Sequence, residues 1–129
     1  MEFTVHHDSD AEVLLIQTHG PATLDGFKSY LIATLDHPAW QPRLRILVDH
    51  RDLNLAAMSS EDINALATFH RSHAPDFHYN PIASVVGRMV DYGLARMWEA
   101  FMTDSGLKHR VFTDLTEARA WLLQPPLHS

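Results

Sequence analysis

Histidine is the side chain whose charge changes nearest neutral pH, and this sequence carries ten of them. Two, His70 and His73, sit on adjacent turns of a predicted helix, with Asp76 and His78 close behind. A zinc site needs three or four converging ligands, typically from a template such as H-E-x-x-H. The spacing here matches no such template, so no metal site is expected. His70 also shares a helical face with Ile63, Leu66 and Ala67, which predicts a hydrogen-bonded histidine in the core. A third candidate, His50, stands in the run Asp49-His50-Arg51-Asp52 at the end of a predicted central strand. Loops at the carboxyl ends of parallel strands are where α/β proteins bind ligands. An imidazole beside two carboxylates has the makings of a general base. No nucleophile elbow or glycine-rich phosphate loop accompanies it, so an ion pair from Arg51 to Asp49 or Asp52 is the expected role. No catalytic residue and no cofactor are assigned.

Ser59 and Ser60 open a second predicted helix, where backbone N–H groups and the helix dipole favour an anion. A phosphate on either serine would meet that field, but Glu61 and Asp62 would repel it. The simpler expectation is that Ser59 caps the helix, with Asp62 at the third helical position completing a capping box. The most apolar helix is predicted over 91–104, where Leu94, Met97, Trp98, Phe101 and Met102 follow a helical stripe that Tyr92 widens. Most of that stripe reads as core. Part of it, Tyr92, Met97, Trp98 and Phe101, is expected to line an apolar pocket with Leu53, Leu55 and Met58 from the loop before the second helix. Methionine and aromatic side chains suit adaptable apolar sites.

The elements that must position these residues follow from periodicity. Phe3 and Val5 alternate with polar neighbours and 12–18 reads as a second strand, so a hairpin is expected. Gly20 and Pro21 break the chain, Thr23 is a candidate cap, and Leu24, Phe27, Leu31 and Leu35 follow at helical spacing. His37-Pro38 ends that helix. The apolar run 44–49 predicts a buried parallel strand, 81–86 another, and His109 to Phe112 a short last one. Gly106 stops the helix before it. Asp114 and Glu117 bracket the start of a final helix carrying Ala118, Trp121 and Leu122. The order β-β-α-β-α-β-α-β-α predicts an α/β fold with a mixed five-stranded sheet and four helices. If sequential strands place most helices on one face, the other needs a cover, which a second copy of the chain would supply.

Composition narrows the function classes. Hydrophobic residues make up 46% and charged residues 20%, an ordinary globular balance over one domain, assigned to 1–123 with a short tail at 124–129. The net charge is −6 and no Lys/Arg cluster interleaves with aromatics, so nucleic acid is not an expected partner. The absence of cysteine excludes disulfides and thiol catalysis. The beginning Met-Glu-Phe-Thr lacks the build of a signal peptide, and no apolar run approaches a membrane span. A cytoplasmic location is expected, with peripheral membrane contact as a hydrophobic rather than electrostatic matter.

Three stretches, ILVDHRDLNLAAMSSEDINAL at 46–66, DYGLARMWEAFMTDSGLKHRVF at 91–112 and DLTEARAWL at 114–122, together resemble the SpoIIAA-like, or STAS-like, family of small bacterial proteins. The resemblance runs from about Phe3 to Leu123. It implies a STAS-type sheet of about five strands and a structural kinship with CRAL-TRIO lipid carriers, and it brings no established enzymatic activity. Anti-sigma factor antagonists of the same broad family carry a phosphorylated serine in an Asp-Ser-Ser-Gly type motif. Here the matching positions read Met58-Ser59-Ser60-Glu61, without the leading acid or the following glycine. The leading expectation is a non-enzymatic binding module for a small apolar or lipid-like ligand. The alternative is a protein-interaction switch that engages a regulatory protein through Ser59 or Ser60.

Overall fold

The computed structural model describes residues 1–77, 80–87, 93, 96, 98, 99 and 108–124. Strands β1 (Glu2–Asp8) and β2 (Val13–Pro21) form the expected antiparallel hairpin, with Val5 opposite Ile16. Strands β3 (Arg45–Asn54), β4 (Ile82–Val86) and β5 (His109–Phe112) then add in parallel, giving one five-stranded mixed sheet in the order β1-β2-β3-β4-β5. Three α-helices are described: α1 (Leu24–Leu35), α2 (Ser60–His73) and α3 (Leu115–Leu123). The helix expected over 91–104 lies mostly outside the described residues. Gly93, Arg96, Trp98 and Glu99, which are described, have helical backbone. The expected tail lies outside them too, apart from Gln124.

Two strands run further than their apolar patterns. β2 continues through Gly20 and Pro21, where a chain break is expected, and β3 continues past Asp49 to Asn54. The two extensions hold each other, since His19, Gly20 and Pro21 pair with Asp52, Leu53 and Asn54 beyond a register shift after Gln17. Gly20 accommodates this with φ of 88°, a left-handed value that glycine adopts without a Cβ penalty. Proline is tolerated there because it ends the strand. Residues 50–52, which follow the expected strand, are therefore strand rather than loop. Of the expected loop, Leu55 to Met58 remains, with Leu55–Ala57 a single 3-10 turn whose Ala56 N–H donates to Asn54 Oδ1 at 3.0 Å.

Strand alternation separates two cores. Ile16, Ile46, Val48 and Leu53 pack against Phe27, Tyr30 and Leu31 of α1 and Leu66 of α2. Val13, Leu47, Ala83 and Val85 pack on the other face against Ala118 and Leu122 of α3. The second face therefore finds its cover over β3, β4 and β5 within the chain. Over β1 and β2 that face presents exposed Glu2, Thr4, His6, Gln17 and His19, with His19 Nε2 2.8 Å from Glu2 Oε2. Arg45 pins α3 to the hairpin, donating from Nε to Leu122 O at 2.8 Å and from Nη1 to Ala11 O at 3.3 Å. The open edge of β5 is blunted where Val111 N–H donates to Glu99 Oε2 at 2.8 Å.

The helix starts follow their caps. Thr23 Oγ1 accepts from Gly26 N at 3.0 Å, and Asp114 Oδ1 from Glu117 N at 3.1 Å. At α2 the capping box closes in both directions: Ser59 Oγ accepts from Asp62 N at 3.1 Å and Asp62 Oδ2 accepts from Ser59 N at 3.2 Å. The Ser59→Ala variant orphans one N–H and should lose about 1 kcal/mol of unfolding free energy in a urea titration. An unchanged midpoint and slope would show that the cap contributes nothing.

Candidate functional site

Between the sheet and helices α1 and α2 lies a cavity of about 110 Å³. Its floor is one row of side chains per strand. Register places Ile46 beside Ile82, Val48 beside Ser84 and His50 beside Val86, and then Ile82 beside His109 and Ser84 beside Val111. Because each strand has period two, these side chains share the face turned toward α1 and α2. Phe27, Tyr30 and Thr34 of α1 and Leu66 and His70 of α2 close the other side. Most of the wall is hydrocarbon, which is why the polar groups set into it stand out.

Three of those groups are imidazoles, from β3, α2 and β5. His50 Nδ1 lies 2.6 Å from Thr18 Oγ1, whose hydroxyl also reaches the Asp49 carbonyl at 3.3 Å. Phe27 and Tyr30 pack on the His50 ring at 5.5 and 6.0 Å between centroids. His109 Nε2 lies 2.8 Å from Ser84 Oγ. His70 packs edge-on against Trp98 at 4.8 Å, and its Nε2 is buried with no hydrogen-bond partner. Burial holds all three below the ordinary imidazole value, His50 at about 4, His70 at about 3 and His109 at about 4. The His109 ring adds to the depression of both others by like-charge repulsion. At neutral pH the cavity therefore presents uncharged hydrogen-bonding groups in an apolar wall.

Asp49 and Arg51 belong to the opposite face. Arg51 Nε and Nη2 donate to Asp49 Oδ1 and Oδ2 at 2.9 and 2.8 Å, and Arg51 N donates to Oδ1 at 3.1 Å. Burial alone would raise the Asp49 carboxyl, but the Arg51 hydrogen bonds and charge outweigh it and hold the carboxyl below its usual value. The aspartate is thus occupied as an ion-pair partner and is turned away from His50.

Of the residues expected to form an apolar pocket, Leu55, Met58 and Trp98 do meet at the cavity. Leu53 is buried in the core formed by the sheet face and α1. Tyr92, Met97 and Phe101 lie outside the described residues. Ser59 and Ser60 are exposed at the start of α2 and take no part in the cavity. His70 departs from expectation, since its Nε2 lacks the hydrogen bond that a core histidine was expected to make. His73 pairs instead with Asp76 at 3.3 Å, His78 lies outside the described residues, and no metal-binding group of three appears among the described residues. Sequence reasoning missed His109, Ser84 and Thr18. The signal that would have found the first two is strand alternation with register: Ser84 sits level with Val48 and His109 with Ile82, on the same sheet face that His50 joins when β3 extends past residue 49.

The Ser84–His109 contact has the separation of a nucleophile and its base. Ser84, however, lies mid-strand with its backbone in the ladder between β3 and β5, so it lacks the free N–H groups of an oxyanion hole. A ring as weakly basic as His109 is also poorly matched to take a serine proton near pH 7. No helix among the described residues is long and apolar enough to cross a membrane. The exposed large hydrophobics among them, Ile32 and Leu123, lie on helices that cover opposite sheet faces. No protein-family model matches the chain, and no curated protein matches it.

Proposed function

We propose that this chain is a non-enzymatic binding module for a small, compact, mainly apolar ligand, held between the sheet and helices α1 and α2. The observation that carries the reading is the cavity of about 110 Å³, set in a layer that close packing would ordinarily fill. An apolar cavity of roughly 150 Å³ admits benzene, so this smaller one takes at most a single ring or a short branched chain, with slight adjustment of its walls. Drug-sized ligands occupy roughly 300–1,000 Å³, and a long acyl chain needs more room than this cavity has. The lipid-like end of the original expectation is therefore the weaker half. The STAS-like assignment belongs to this proposal too, supported by the three sequence stretches and by the five-stranded mixed sheet. A cytoplasmic location accompanies it. Insertion into a bilayer draws no support from the described surface, because Ile32 and Leu123 do not form one patch.

The switch alternative has less behind it. Ser59 Oγ is already the acceptor for Asp62 N, and the Asp62 carboxylate sits beside it. A phosphate on Ser59 would displace that bond and meet two acidic neighbours. Intact-mass analysis of phosphorylated serine at 59 or 60 in protein from its native host would revive it.

The test of the binding reading is thermal melting with toluene, indole, cyclohexanol and decanoate, alongside native mass spectrometry of freshly purified protein. A compound that binds only the folded form stabilises it by about 2.7 kcal/mol at a hundredfold excess over its Kd. At least one ring compound should raise the midpoint by several degrees. The reading fails if none does while the cavity-filling Val48→Ile variant gains stability, because the space would then be a packing defect.

A further inference from the structure

Among the described residues, one fully buried side-chain polar atom at the cavity has no hydrogen-bond partner. His50 engages Thr18 and His109 engages Ser84, each through one ring nitrogen. His70 differs, because its Nε2 is shielded from solvent with no hydrogen-bond partner. Native structures leave few such atoms, since an unpaired buried acceptor or donor forfeits its hydration without return. The ring cannot easily turn away to find one. Trp98 packs against it at an interplanar angle of 84°, and Phe69 lies at 6.4 Å on another side. His70 is also a wall residue of the cavity, so a molecule held there would lie beside it.

We infer that the ligand is a ring-sized neutral compound bearing a hydroxyl group, recognised by a hydrogen bond at His70 Nε2. The inference rests on the binding reading above and deepens it from shape to chemistry. A neutral imidazole carries one N–H and one lone pair, and the ring environment does not dictate which nitrogen holds the proton. A hydroxyl both donates and accepts, so it satisfies Nε2 in either tautomer. A carbonyl only accepts and an ammonium only donates, so each matches a single tautomer. Charge is excluded by the same wall. Among the described residues lining the cavity there is no Lys, Arg, Asp or Glu, so an ionised head group would be buried uncompensated. The burial that holds His70 at about 3 keeps the imidazole from supplying a countercharge near pH 7. A water molecule alone is a poorer occupant of the remaining space, because the wall around it is mostly hydrocarbon and water requires two to four polar partners.

The experiment is isothermal titration of the full chain with phenol, toluene and benzoate, on wild type and on His70→Leu, at pH 7.5. Phenol should bind wild type about tenfold more tightly than toluene, the equivalent of one well-made hydrogen bond. The preference should vanish in His70→Leu. Phenol should also shift the His70 Nε2 resonance in ¹⁵N spectra of wild type, which tests the contact without relying on the variant's fold. Equal or tighter binding of toluene to wild type would overturn the hydroxyl inference while leaving the binding reading intact. So would a preference that survives in His70→Leu, an unmoved Nε2 resonance at saturating phenol, or benzoate binding as tightly as phenol. Failure of every compound to bind would overturn both.

Discussion

Lowering the pH from 7.5 to 5 should unfold this protein far more readily than an ordinary acidic domain. Three imidazoles, His50, His70 and His109, are held by burial at about 4, 3 and 4 when folded. In the unfolded chain each returns to roughly 6.5. Between those limits the unfolded state binds more protons than the folded one, so unfolding free energy rises with pH. The stability that depends on neutral rings is complete above about 6.5 and is lost as pH falls, levelling off near 4 for His50 and His109 and near 3 for His70. Each unit of depression is worth about 1.4 kcal/mol. By pH 5 each ring can therefore withdraw up to about 2 kcal/mol, on the scale of a domain's entire 5–15 kcal/mol when three act together. The Asp49 carboxyl, held low by Arg51, adds its own loss only at more acidic pH. Urea titrations at pH 7.5, 6.5, 5.5 and 5.0 should show a steep fall in midpoint. The slope should correspond to two or three protons, and His70→Leu should remove about one. The same variant should be neutral or slightly stabilising at pH 7.5, since it deletes an unpaired nitrogen. A flat profile from 7.5 to 5 would show that the rings are not buried in neutral form.

How far the sequence foretells this arrangement depends on the range over which its signals act. Caps are local, and Thr23, Ser59 and Asp114 each stand where a side-chain oxygen one turn from a helix N–H must be. Apolar runs are local too, so β4 and β5 appear where 81–86 and His109 to Phe112 predict them. The ends of β2 and β3 are not local. Gly20-Pro21 and His50 to Asn54 read as chain break and loop, and they become strand where His19, Gly20 and Pro21 pair with Asp52, Leu53 and Asn54 across the sheet. That extension decides the site. It makes His50 a strand residue on the face opposite Asp49, so that Asp49 is held by Arg51 while His50 faces the cavity. His70 and His109 lie 20 and 59 positions further along the chain from His50, so no spacing rule connects the three. A histidine on an apolar helix face also looks the same whether its nitrogens are satisfied or not. The orphaned Nε2 of His70 is a property of packing and cannot be read from its neighbours in sequence.

The Asn80→Ala variant should lose about 2–4 kcal/mol, among the largest effects of any single polar side chain in the described structure. Asn80 is 1% exposed and precedes Pro81, which restricts it to extended backbone. Its Nδ2 donates to the carbonyls of Gln41 at 3.0 Å and Leu44 at 2.9 Å, and its own N–H donates to Phe77 O at 3.0 Å. One amide thus ties the turn that enters β3 to the turn that enters β4. Ile46 N donates to Pro81 O at 2.9 Å just above it, so the stagger between the two strands is set here. That stagger is what brings Val48 level with Ser84 and His50 level with Val86 along the cavity floor. Truncation to alanine takes the side-chain donor from the carbonyl of buried Leu44, leaves Gln41 O with only Leu44 N–H, and opens a void; the lost hydrogen bonding and the void each cost about 1–3 kcal/mol. Asn80→Asp should be worse at neutral pH despite its matching shape. It removes both donors and sets a buried carboxylate against two carbonyl oxygens. Hydrogen exchange should show the amides of Ile46 and Ile82 losing protection before those of β1 and β2. If Asn80→Ala melts within about 0.5 kcal/mol of wild type, the range of an inconsequential surface change, the register of β3 and β4 is set by apolar packing of Ile46, Val48, Ile82 and Val86 instead.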